Sequence, residues 1–124
     1  MIPTQYENIL KQLLEKTLAG KANWKATSSE DTFLISFKTF SLKIWRFSNP
    51  YDESNGISFG VYNDKGKKID DFSVESGKQL ELANSLFENA RRKAFNVEDA
   101  LKLMSLELQA DTVGDEPEQE ESPF

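Results

Sequence analysis

The sequence predicts an α+β domain: an N-terminal helix, an antiparallel β-meander of four to five strands, two C-terminal helices and a disordered acidic tail. Three observations lead there. Thr32 to Val74 is rich in aromatic and β-branched residues that alternate with period two. Both flanks carry apolar residues at helical spacing. Residues 111–124 hold six acids and no base. We read residues 1–110 as one domain and 111–124 as its tail.

In chain order, Thr4 and Glu7 have the spacing of a capping box, so the first helix is expected to open at Thr4. Ile9, Leu10, Leu13, Leu14, Thr17 and Leu18 form its apolar stripe, and Gly20 is a fitting stop. Ala22, Trp24 and Ala26 alternate with Asn23, Lys25 and Thr27, a short strand candidate. In the next run, Phe33, Ile35 and Phe37 share one parity, whereas Phe40, Leu42 and Ile44 share the other. An unbroken strand cannot change phase, so a tight turn or bulge belongs at Lys38-Thr39. Asn49-Pro50 to Asn55-Gly56 is a loop of turn formers.

Ile57, Phe59 and Val61 then alternate cleanly, and Asn63-Asp64-Lys65-Gly66 supplies a hairpin loop in which Gly66 takes positive φ. Phe72 and Val74 close the last strand, with Ile69 out of phase, which suggests a bulge. Ser76 and Gln79 repeat the capping-box spacing ahead of a stripe of Leu80, Ala83, Leu86, Phe87, Ala90 and Ala94. Asn96 with Asp99 looks like a fresh N-cap. The periodicity of Val97, Ala100, Leu101, Met104 and Leu108 therefore follows a bend.

Composition excludes several chemistries. The chain has no cysteine and no histidine. Disulfide frameworks, thiolate sites, imidazole-based zinc sites and His-dependent triads are therefore ruled out. Net charge is −6, from 21 acids and 15 bases. Removing the six tail acids leaves 15 of each, so the body is neutral and the tail carries the charge. Bulk attraction to nucleic acid is not expected. No apolar run approaches the ~20 residues of a membrane span, and the start of the chain lacks the features of a signal peptide. A cytoplasmic setting, with no membrane partner, is the default expectation.

The candidate binding residues come from side-chain parity. Trp45 and Phe47 point away from Leu42 and Ile44, so their strand is apolar on both faces. Tyr62 opposes Val61 in a neighbouring run. If the helices cover one face only, Trp45, Phe47 and Tyr62 form an exposed aromatic patch near Lys43, the kind of surface that meets a partner. Helices on both faces would bury it.

Arg91-Arg92-Lys93 reads as dipole compensation in a last helical turn. Glu30-Asp31 and Asp52-Glu53 belong to turns, and Asp70 and Asp71 diverge as strand neighbours do. No catalytic residue, metal ligand or cofactor is assigned.

The last residues, Glu120-Glu121-Ser122-Pro123-Phe124, resemble the acidic Pro-Phe tip of bacterial single-stranded DNA-binding proteins. The resemblance implies a bait peptide: the Phe124 ring enters an apolar pocket and its carboxylate meets basic residues. Ser122 stands where that family has an aliphatic residue. The body opens with a helix rather than a five-stranded barrel, so the likeness is confined to the peptide.

The functional expectation is a non-enzymatic interaction or adaptor domain of bacterial type. It would bind a protein partner, or itself as a homodimer, through the aromatic sheet face or through Pro123 and Phe124. One alternative is a small secretion-type chaperone, which the confinement of acidity to the tail disfavours. The other is a small-ligand-binding protein or carboxylate-based enzyme, for which no spacing singles out a residue set.

Overall fold

A computed structural model describes residues 1–51 and 54–115. Helix α1 (Thr4–Leu18) leads into five strands: β1 (Lys25–Ala26), β2 (Thr32–Ser36), β3 (Phe40–Ser48), β4 (Asn55–Asn63) and β5 (Lys68–Val74). Helices α2 (Gly77–Ala94) and α3 (Val97–Glu107) follow. The strands form one antiparallel sheet in chain order, β1-β2-β3-β4-β5, as short consecutive connections require.

The phase change at Lys38-Thr39 is a tight hairpin, closed by the Phe37 N–H donating to the Phe40 carbonyl at 2.7 Å. It sets Ile35 opposite Leu42 and Phe33 opposite Ile44. The second irregularity is also where parity put it. Val61 pairs with Asp70 but Tyr62 pairs with Lys68, so Ile69 is the extra residue of a bulge and lies exposed. Between β4 and β5, Gly66 adopts φ +80°, and the Asn63 side-chain oxygen accepts from the Lys65 and Lys67 N–H groups.

One face of this sheet makes the core. Phe33, Ile35, Leu42, Ile44, Ile57, Phe59, Phe72 and Val74 are buried there against Leu10 and Leu13 of α1 and Ala83, Leu86, Phe87 and Ala90 of α2. Phe87 meets the Phe33 ring edge-on at 5.4 Å, and the Tyr6 ring of α1 lies 4.5 Å from Phe72. Both helices therefore sit on the same side. Arg46, the one cation of β3 on this face, spreads its guanidinium over the Phe87 ring and bonds Glu88 at 3.0 Å. Partial desolvation pushes the Glu88 carboxyl up, but hydrogen bonds from Arg46 and Arg91 outweigh it and hold the carboxyl below its ordinary range.

The helix ends correct the capping expectations. Pro3, not Thr4, is the N-cap of α1, and its carbonyl accepts from the Tyr6 and Glu7 N–H groups. Glu7 turns instead to Lys11 and Gln79. At α2 the N-cap is Ser76, as expected, but it makes no side-chain cap. Gln79 clasps the chain start: its carbonyl accepts from the Ile2 N–H and its amide donates to the Ile2 carbonyl. Ties 77 residues apart thus replace the local box. The α1 stop is as expected: Gly20 has φ +74°, its N–H meets the Thr17 carbonyl, and Lys21 N–H meets Lys16. That is a Schellman motif.

Asn96, at φ 55° and ψ 42°, breaks α2 from α3. It makes no side-chain cap either. Among the described elements α3 packs against α2 only, and Leu101, Leu103, Met104 and Leu106 stay exposed, so its apolar stripe adds nothing to the core. Residues 111–115 are exposed and irregular.

Candidate functional site: the uncovered sheet face

Because α1 and α2 lie on one face and α3 touches no strand, the opposite face has no helix over it among the described residues. Strand parity decides what stands there. Across the middle of the sheet, from β1 to β5, the outward row is Lys25, Leu34, Lys43, Gly60 and Asp71. On one side of it runs Thr32, Trp45, Ser58 and Ser73. On the other runs Ser36, Ser41, Tyr62 and Lys68. Phe47 beside Gly56 closes the Trp45 end. The four residues expected on this face, Lys43, Trp45, Phe47 and Tyr62, are all on it, each half-buried.

Half-burial without a helix has a local cause. A methyl group added to Gly60 would fall 2.9 Å from Tyr62 Cε1, and one added to Gly56 would fall 3.1 Å from Phe47 Cε1 and Cζ. Each ring therefore lies down over a glycine, where the missing side chain leaves a seat. Lys43 extends over the Tyr62 ring, its Nζ 4.8 Å from the centroid, in cation–π geometry. Ser58, between Trp45 and Ser73, is only 7% exposed although it faces outward. Its hydroxyl lies 2.7 Å from that of Ser73, a satisfied pair. The result is a low aromatic surface with lysines at its middle and edge.

Parity located the aromatics but missed their surroundings. Lys25, Leu34 and Asp71 enter the face only once register is known, since they sit on strands separated by loops. The signal was present at Gly56 and Gly60, because glycine inside a strand often marks a close approach.

The remaining candidates do not converge. Arg91 and Arg92 are neutralised by Glu88 and Glu98. A cleft of about 260 Å³ between the end of α1 and the α2–α3 break is lined by Asn89, Arg92, Lys93, Glu98 and Asp99, with both charge signs represented. Asp70 accepts the Tyr6 hydroxyl at 2.7 Å, while Asp71 pairs with Lys68 at 3.0 Å. Glu30 and Asp31 are exposed in a turn. Among the described residues, no three carboxylates cluster as a metal site would need, and no helix is long and apolar enough to cross a membrane. Asp52-Glu53 and the tip residues Glu120, Glu121, Pro123 and Phe124 lie outside the described residues. Comparison with family models, with curated proteins and with solved structures finds no match.

Proposed function

We propose that the protein is a non-enzymatic interaction module that binds a protein surface through its uncovered sheet face. The observation that carries this reading is the placement of both core helices on one side, with Trp45, Phe47 and Tyr62 gathered beside Lys43 on the other. Tryptophan, tyrosine and phenylalanine at the centre of a patch, ringed by small polar residues, match the composition of interface cores. The edges of the sheet are poorer docking sites. β1 has two residues, and β5 carries Lys68, Asp70, Asp71 and a bulge, devices that discourage strand addition.

Site-specific photo-crosslinking in the cells that make the protein tests the reading. A photoreactive phenylalanine replaces Phe47 or Tyr62, and Ile9, exposed on α1, serves as the control position. Discrete adducts from the two sheet positions and none from the control are expected. Adducts no stronger from the sheet than from Ile9 would refute the proposal.

A further inference from the structure

Resting on that reading, we infer that the occupant of the uncovered face is a second copy of the same chain, docked sheet to sheet about a twofold axis along the β3–β4 ladder. Size is the first argument. Every outward pair on these strands sets a large side chain beside a small one: Lys43 beside Gly60, Trp45 beside Ser58, Phe47 beside Gly56 and, reversed, Tyr62 beside Ser41. An axis lying in the interface, parallel to the two strands and midway between them, carries β3 of one copy over β4 of the other. Trp45 of one copy then faces Ser58 of the other and Tyr62 faces Ser41, whereas Phe47 and Lys43 come over glycines already covered by the other copy's own Phe47 and Tyr62 rings. The Phe47 and Tyr62 rings lie flat on their glycines, which keeps the face low enough for a second sheet at about 10 Å.

Charge is the second argument, and it is independent of size. The same rotation carries β5 over β2. Asp71 of the second copy comes over Leu34, whose neighbours in the row are Lys25 and Lys43. Read across the sheet, the row is positive, neutral, positive, neutral, negative; folded about its β3–β4 midpoint, the carboxylate, which Lys68 pairs at 3.0 Å in its own copy, falls between the two lysines of the other.

Area sets the strength. Strands β2 to β5 overlap their counterparts while β1 lies beyond them, and four strands about 4.8 Å apart, five to nine residues long, project to roughly 480 Å². A corrugated face exposes more than its projection, which places the contact below the ~800 Å² per partner of a standard interface, among the weaker associations. Such an isologous pairing is the commonest form of self-assembly.

Sedimentation equilibrium of the full chain tests this. The wild type is expected at about 28 kDa, twice the 14.1 kDa chain. Lys43→Glu and Asp71→Lys each put like charges together and should raise the dimer dissociation constant about tenfold or more. Mixed in equal amounts, the two variants restore opposite charges at both symmetry-related contacts, and dimer should return. Unchanged circular dichroism melts at low concentration establish that both variants fold.

A wild type that stays at 14.1 kDa up to about 1 mM overturns the second-copy proposal. So does a dimer indifferent to either charge reversal, or one that the mixture fails to restore. The interaction-face reading fails separately. Sheet-position adducts of non-self mass with a monomeric wild type leave it standing, whereas adducts absent from the sheet positions remove it.

Discussion

Two glycines on one strand, both under aromatic rings, should respond oppositely to the same substitution. A methyl group at Gly56 would lie 2.2 Å from the Val74 carbonyl oxygen, an approach at which backbone must move. That oxygen belongs to β5, whose Val74 is buried and paired with Ile57, so relief means shifting the β4–β5 ladder by about 1 Å. Overpacking of this kind costs about 1–3 kcal/mol, partly offset by the ~0.5–1 kcal/mol that alanine gains over glycine through the unfolded chain.

At Gly60 the three nearest atoms are all in the Tyr62 side chain, the closest at 2.9 Å. The ring can turn away at its χ1 bond, and the penalty and entropy gain roughly cancel. Thermal melts by circular dichroism, at about 1 µM so that any dimer is dissociated, should show Gly56→Ala falling by roughly 5–10 °C and Gly60→Ala within about 3 °C of wild type. Gly60→Ala should nevertheless weaken dimer formation, because the displaced Tyr62 ring can no longer lie flat beneath Lys43. Equal losses for the two variants, or a Gly56→Ala as stable as wild type, would refute the seating of these rings and of Val74.

Three further outcomes follow from single contacts. Thr17 is buried, accepts the Trp24 indole N–H at 2.9 Å and donates to the Leu13 carbonyl. Thr17→Val should therefore lower stability by about 1–3 kcal/mol in urea unfolding, with Thr17→Ser much milder. The Tyr6 hydroxyl is pushed up to about 12, first by its hydrogen bond to Asp70, then by burial and the Asp70 charge. Its folded pKa lies above the unfolded value, so its contribution is full below pH 10 and lost as pH rises towards 12. Ultraviolet titration should show the Tyr6 transition moving down towards its ordinary value in Asp70→Ala. Asn96 holds a left-handed φ of 55°, so Asn96→Ala should cost about 1 kcal/mol in thermal unfolding while Asn96→Gly costs nothing or stabilises.

What parity and turn chemistry can encode was legible beforehand. The hairpin at Lys38-Thr39 and the bulge at Ile69 were both readable because a strand cannot change face without an extra residue or a turn. The capping boxes misled for a definite reason: Glu7 and Gln79 have the right spacing, but each finds a better partner across the fold. Local spacing cannot register a competitor 72 residues away. The stripe of α3 misled differently. Periodicity shows that Leu101, Met104 and Leu108 share a side, but not whether anything comes to cover it.

The same limit governs the sheet, and there it becomes informative. A strand apolar on both faces is ambiguous in isolation, since two layers of helix or one layer and a partner would both satisfy β3. The helix positions remove the first solution: α1 and α2 share one face, and among the described residues no helix covers the second. What remains is a surface whose own construction lowers its cost in water, with Phe47 and Tyr62 folded onto glycines and Lys43 over a ring. Those seats make the chain tolerable as a monomer and also flatten it for stacking. In the proposed pairing Gly56 and Gly60 would serve both states, so substitution at Gly60 should separate assembly from folding while substitution at Gly56 should not.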